Sequence, residues 1–217
     1  MVKLDILSDP VCPWCLIGKA ELDRALEARP DHPFVIEWHP FQLNPDMPAG
    51  GMDRQDYLQL KFGDAGLLRA YQPIVDRIEA LGLDADLGGI ARQPNTLNAH
   101  RLIHWAGLEG RQTAAVAAVF RAFFSEGKDI GDIDTLIGIG TGIGLDAEML
   151  RRLFATDTDA EAIAQRDRHA RARGVGGVPC FIIANRHVLQ GAQPAETWIQ
   201  VIDEITEQLR AQPEDEA

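Results

Sequence analysis

Two cysteines with two residues between them, Cys12 and Cys15 in the segment Cys-Pro-Trp-Cys, are the residues of this chain best suited to chemistry. They follow a short apolar stretch and stand where a helical pattern begins. Residues three apart on a helix share a face, so the two thiols lie within reach of a disulfide bond. The spacing favours either thiol–disulfide exchange or the binding of a metal ion.

The start of a helix favours the charged form of a thiol. Cys12 falls at the helix N-cap or in its first turn, where unpaired N–H groups and the positive end of the helix dipole stabilise a thiolate. Pro13 suits the first helical position and biases Cys12 toward an extended backbone, which we expect to expose its sulfur. Cys15 lies further in. Trp14 is expected to be exposed, where it tunes the redox poise or offers an apolar surface to unfolded chains.

The segment Gly-Val-Pro-Cys-Phe-Ile-Ile at 177–183 places Pro179 at the entry to a second apolar strand. A cis peptide bond before Pro179 would turn the Val178 backbone toward the cysteines, so that a substrate chain could add as a strand. A trans proline at a strand start is the alternative. A Cys-x-x-Cys at a strand-to-helix junction and a late Val-Pro strand together favour a protein that makes, breaks or reshuffles disulfides.

A zinc site is the competing interpretation of the cysteines, since Cys12, Cys15, Cys180 and a histidine offer four ligands. No second Cys-x-x-Cys stands at zinc-finger spacing. His100 and His104 are four apart but lack the intervening glutamate of a zinc protease motif. We therefore expect no metal.

Composition limits the partners. The chain has 217 residues, 46% of them hydrophobic, and a formal net charge of −12. The size suits one large domain, or a small domain with a substantial insertion. An acidic surface disfavours nucleic acid and anionic membranes as partners. The sequence shows no secretory signal and no segment of the ~20 apolar residues that span a bilayer, so we expect a cytoplasmic protein.

The predicted elements surround the two motifs. A strand from Val2 to Ser8, a helix over 12–28 and a strand over 34–43 form a β-α-β unit, which favours a parallel crossover. Residues 53–174 show helical patterns and no convincing strand. An apolar strand over 180–183, a turn at Asn185-Arg186, a short strand at Val188-Leu189 and a last helix then complete an α/β fold.

This arrangement resembles the thioredoxin fold with a large all-helical insertion, as in the DsbA family, and within it the cytoplasmic FrnE-like branch. The likeness covers nearly the whole chain. Its residues are SDPVCPWC at 8–15 and GVGGVP at 174–179, with PFQLNP at 40–45, NTLNAHRL at 95–102 and GAQ at 191–193. The resemblance implies a thioredoxin-like domain over 1–48 and 175–217 and a helical insertion domain over 49–174.

The resemblance also implies roles for the site residues. Cys12 is the attacking thiol, Cys15 the resolving thiol and Pro179 a cis-proline beside them. Cys180 departs from the family pattern, in which we expect no thiol at this position. We expect it to pack as a small apolar side chain and to be redox-silent; a third redox thiol is the alternative.

Three polar residues are candidates for the groove opposite the cysteines: Asn95, Asn98 and His100. A capped helix with a polar face explains them equally well, and Asn95-Thr96 is a plausible cap.

The predicted function is thiol–disulfide oxidoreductase or isomerase, exchanging disulfides of a protein or a small molecule without a bound cofactor. Glutathione is a possible co-substrate, and glutathione or thioredoxin a possible reductant. One alternative keeps the fold as a glutathione-dependent isomerase or transferase, like 2-hydroxychromene-2-carboxylate isomerase or the kappa-class glutathione transferases; the intact cysteine pair argues against it. A chaperone-like binder of unfolded chains is the non-catalytic alternative, which activity retained after Cys12→Ser would favour.

Overall fold

The structure, a computed structural model, describes residues 1–211 apart from the side chains of residues 64 and 65. The tail 212–217, which the sequence predicts to be frayed, lies outside the described residues. None of the helices within 1–211 has the length and apolarity required to cross a bilayer.

Six strands and eight α-helices make up the described chain. The strands are β1 (Val2–Ser8), β2 (Phe34–Pro40), β3 (Met52–Asp53), β4 (Arg92–Gln93), β5 (Cys180–Ile183) and β6 (His187–Gln190). The helices are α1 (Pro13–Ala28), α2 (Arg54–Leu81), α3 (Leu97–Leu108), α4 (Gln112–Phe120, continued by a π-helical turn over Arg121–Ser125), α5 (Ile133–Gly142), α6 (Ala147–Phe154), α7 (Ala160–Ala172) and α8 (Ala195–Ala211).

A four-stranded sheet in the order β2-β1-β5-β6 forms the centre of the fold. β1 and β2 are parallel through the crossover helix α1, whereas β5 is antiparallel to both β1 and β6. The β5–β6 turn contains Ala184 and Asn185 with positive φ angles. The predicted crossover and late hairpin are therefore both present.

The two faces of this sheet bury different sets of residues, because side chains alternate along a strand. Leu4, Ile6 and Phe181 point toward α1 and α8, where Trp198 packs edge-on against Phe181 with ring centroids 4.8 Å apart. The opposite face carries a smaller apolar cluster, formed by Leu7, Phe41, Ala170 and Cys180 under α7.

The apolar pattern predicts that strand β2 runs to Leu43, but in the structure it ends at Pro40. The next backbone groups find other partners: the Gln42 N–H donates to Asp167 (2.9 Å) and the Leu43 N–H donates to Asp9 (2.6 Å). Buried carboxylates thus replace the sheet ladder for these amides.

The expectation of no strand within 53–174 is wrong in one detail, because β3 and β4 pair as a two-residue antiparallel ladder. Pattern analysis cannot detect strands this short. Asp53 caps α2 by accepting from the Gln55 and Asp56 amides, and α2 kinks at Gly63, where φ is 62° and ψ is 174°. The remaining helices pack on one another and on β2.

Candidate redox site

Cys12 is the N-cap of α1 and has an extended backbone (φ −88°, ψ 113°), with Pro13 in the first helical position. Its Sγ donates to the Val178 carbonyl oxygen, 3.6 Å away. The expected exposure of the sulfur is wrong, because the Cys12 residue is only 4% exposed. Trp14, 36% exposed, is the accessible residue of the motif.

Cys15 lies deeper, at 1% exposure, and both cysteines are free thiols. Burial raises the pKa of Cys15 well above its ordinary value, and the neighbouring Cys12 thiol raises it further. The Ser8 hydroxyl and the Asp9 backbone N–H oppose the rise. Two free thiols three residues apart at the start of a helix are positioned for conversion to a disulfide, with Cys12 as the thiol nearer to solvent.

The Val178–Pro179 peptide bond is cis. Gly18 of α1 faces the Pro179 ring so closely that a Cβ atom there would lie 3.0 Å from Pro179 Cγ and 3.4 Å from Phe181 Cζ. A glycine at position 18 thus allows the helix that carries the cysteines to approach the proline.

Cys180 follows this proline but points to the other face of the sheet. It pairs with Leu7 across the β1–β5 ladder and packs with Phe41 and Ala170, whereas Cys12 and Cys15 belong to the main core. Gln190 donates to its sulfur at 3.3 Å, and burial raises the pKa of Cys180. The sheet therefore separates Cys180 from the cysteine pair.

The three candidate groove residues make contacts within the protein. Asn95 accepts from the Leu97 N–H at 2.9 Å, so Asn95 caps α3 and the N-cap residue Thr96 does not. Asn98 accepts from Arg101 at 2.8 Å. His100 is 4% exposed and lies behind the cysteine loop, so it does not line an open groove.

A fully buried carboxylate, Asp9, supports the cysteine loop and was not singled out by the sequence. It accepts from the amides of Leu43 and Val11, and its own carbonyl accepts from the Cys12 N–H at 2.9 Å. The nearby Thr96 hydroxyl favours the charged form of Asp9 and lowers its pKa. Burial raises the pKa of Asp9 to about 7. Its position three residues before Cys12 was the available signal.

His100 faces Asp9 with Nε2 3.9 Å from the carboxylate, and that nitrogen has no hydrogen-bond partner. Burial lowers the pKa of His100 to about 4. At neutral pH the imidazole is therefore uncharged, so this close pair is not an ion pair.

One group of potential metal ligands occurs among the described residues: Asp5, Glu37 and His39, on the far face of the sheet. Lys3 Nζ lies 2.8 Å from both carboxylates, and Arg166 donates to the His39 ring at 2.8 Å. Side-chain cations already neutralise this cluster, which is distinct from the cysteines.

The sequence of this chain matches a known protein family. The model of the DSBA-like thioredoxin domain matches residues 3–203, and the protein belongs to this family. Its fold is the thioredoxin-like DsbA fold with a helical insertion, as the sequence predicts. The finer prediction of the FrnE-like branch stays a prediction.

Individual relatives agree with this assignment. The uncharacterized protein YwbO of Bacillus subtilis (strain 168) is 28% identical over 205 residues, which cover 94% of this chain and 96% of YwbO. The crystal structure of a probable DsbA oxidoreductase of Streptomyces coelicolor has a TM-score of 0.85 at 27% identity, covering 100% of this chain and 94% of that one. The cytosolic disulfide reductase DsbM of Pseudomonas aeruginosa, solved with GSH, shares the fold at 22% identity and a TM-score of 0.64, covering 96% and 99%.

Proposed function

We propose that this member of the DsbA-like family is a thiol–disulfide oxidoreductase that works through Cys12 and Cys15. The observation that carries the proposal is the pair of free thiols at the N-cap and in the first turn of α1, with the Val178 carbonyl facing Cys12. Membership of a family of disulfide oxidoreductases supports it.

The proposed exchange has two steps. The Cys12 thiolate attacks one sulfur of a substrate disulfide, forms a mixed disulfide and releases the other substrate sulfur as a thiolate, which takes up a proton. Cys15 then loses its proton and attacks Cys12, forming the Cys12–Cys15 disulfide and releasing the second substrate thiol. Two electrons pass from the protein to the substrate. A thiol reductant such as glutathione or thioredoxin restores the dithiol by the reverse exchange, and an oxidase or isomerase uses the same intermediates.

Glutathione and the cytoplasm are the partner and the location that we propose. The structural neighbour from Pseudomonas aeruginosa is described as a cytosolic disulfide reductase with GSH. In a reducing cytosol a dithiol of this kind is held mostly reduced, which favours reductase or isomerase activity.

The test is the redox equilibrium of the Cys12–Cys15 pair in glutathione buffers, followed by the mass shift after alkylation. We expect one two-electron transition. A potential well above the cytosolic poise would indicate an oxidase, and a value near or below it a reductase or isomerase. Absence of a transition would contradict the proposal: metal released on thiol blocking would then indicate a zinc site, and glutathione held without dithiol turnover would indicate the isomerase alternative.

A further inference from the structure

The far face of the central sheet, opposite the cysteine pair, is covered only in part. Paired residues of β1, β5 and β6 form two rows across this face: Leu7, Cys180 and Gln190 in the first, and Asp5, Ile182 and Val188 in the second. Helix α7 packs on the first row through Ala170. The second row is more open, since Ile182 is half-buried and Val188 is 53% exposed.

A groove of about 470 Å³ lies between α7 and this open part of the sheet. We call it the far-face groove. Leu7, Ile182 and Val188 give it an apolar floor, and Asn185 and Gln190 stand on the β6 side. Its volume is within the range of sites that hold small organic molecules.

Helix α7 forms the other wall of the far-face groove. Four of its residues recur at three- and four-residue spacing and therefore share one face: Arg166, His169, Ala170 and Arg173, the last at the C-cap. Arg166 and Arg173 stand two turns apart, or about 10 Å along the groove. Ala170 between them is small, so it leaves space above the floor.

The charge of the far-face groove is opposite in sign to that of the chain. Of the described residues that line it, Lys3, Arg166 and Arg173 are cationic and Asp5 is anionic. Glu37 lies 2.8 Å from Lys3 and 3.7 Å from Arg166, and with it the positive charges still outnumber the negative ones by three to two. The whole chain has 21 basic and 33 acidic residues. The groove therefore favours an anion, and its apolar floor favours one with an apolar body.

We propose that the far-face groove binds an organic monocarboxylate with an unbranched apolar chain of about eight to ten carbons, a length that suits two turns of α7. Arg173 pairs with the carboxylate, because it is the exposed arginine of the wall, whereas Arg166 already donates to the His39 ring at 2.8 Å. The chain lies over Ile182 and Val188 and removes their apolar surface from water. The sheet separates this site from the cysteine pair, so binding does not depend on the redox reaction.

The ligand class is tested by calorimetry with octanoate, decanoate and 1-octanol, below the concentrations at which they form micelles. We expect decanoate to bind about 10-fold more tightly than octanoate, because two more CH₂ groups leave water. We expect 1-octanol to bind about 10-fold more weakly than octanoate, because it cannot pair with an arginine. Absence of decanoate binding, or equal affinity for octanoate and 1-octanol, overturns the proposal.

The apolar part of the site is tested by Val188→Asp, which we expect to weaken decanoate binding at least about 10-fold by placing a charge on the floor. Leu108→Asp is the matched control, because Leu108 is 73% exposed at the end of α3. It leaves the affinity unchanged. Both positions are exposed, so both variants fold. Equal losses of affinity in the two variants contradict the site.

The charged part of the site is tested by Arg173→Gln, which lowers the affinity for octanoate about 10-fold and leaves that for 1-octanol unchanged. Arg151→Gln makes the same change of charge at an exposed position of α6 and changes neither affinity. Amide chemical shifts locate the ligand: on addition of decanoate we expect changes in α7 and β6. Changes confined to α1 would place the ligand at the cysteine pair and overturn the proposal.

Discussion

The two faces of the central sheet hold thiols in different surroundings. On the α1 face, Cys12 and Cys15 are neighbouring thiols at a helix start. On the far face, Cys180 is 0% exposed, lies among Leu7, Phe41 and Ala170, and accepts a single hydrogen bond from Gln190. All three cysteines are buried, so burial does not distinguish them. The difference is the neighbouring thiol and the helix N-terminus, which only the α1 face provides.

The largest effect that this comparison predicts is on activity. Cys12→Ser removes the proposed nucleophile and lowers the rate of disulfide exchange by at least about 10³-fold. Cys180→Ser leaves the rate within about twofold, because the sheet lies between Cys180 and the pair. The measurement is glutathione-coupled reduction of a model disulfide, with circular dichroism as the control for folding. A comparable loss in both variants, or Cys180 found in a mapped disulfide, would break the comparison.

A second prediction concerns the pH dependence of stability that arises from Asp9 and His100, beside the cysteine loop. Asp9 has a raised pKa of about 7, so over about pH 4–7 the folded state binds more protons there than the unfolded state, and this contribution to stability falls as pH rises. His100 has a lowered pKa of about 4, so over pH 4–6.5 the unfolded state binds more protons, and this contribution grows as pH rises. The two trends oppose each other, each on the order of 3 kcal/mol.

Single variants separate the two trends. Relative to wild type, Asp9→Asn becomes more stable as pH rises from 4 to 7, and His100→Gln becomes less stable as pH rises from 4 to 6.5. Urea unfolding at several pH values measures both differences. Slopes of the same sign in the two variants would show that the pair does not titrate in this way.

The smallest effect tests the close packing of the α1 face. Gly18→Val forces α1 away from the Pro179 ring and costs about 2 kcal/mol, or roughly 4–8 °C in Tm at this chain length. Gly138→Val in α5 is the matched control, because no atom lies within 4 Å of a Cβ built there. If both substitutions change Tm equally, contact with Pro179 does not limit position 18.

Some residues of the site could be predicted from the sequence, whereas the contacts of others could not. The Cys-x-x-Cys spacing and the Val-Pro strand are local, so Cys12, Cys15 and the α/β class follow from sequence patterns. The partners of Asp9 are not local: Leu43 and Thr96 lie 34 and 87 residues further along the chain. Single-residue signals cannot show which distant polar groups the fold brings together.

The burial of Cys12 also could not be predicted from the sequence, for a related reason. Local rules place an N-cap residue at the edge of a helix, with its side chain near solvent. Here the Val178 backbone, 166 residues away, covers the sulfur. The helix start predicts the backbone of Cys12 correctly, and the tertiary contact decides its exposure.

One buried carboxylate, Asp9, contacts three separate segments of the chain. Asp9 binds the amide of Val11 in its own loop and the amide of Leu43 after β2, and it lies beside Thr96 and His100 at the start of α3. Neither the sheet region nor the helical block can open locally without leaving these buried polar groups unsatisfied. We therefore expect the two parts of the molecule to melt in a single cooperative transition, and we expect damage to the packing of α3 to disturb the order of the cysteine loop.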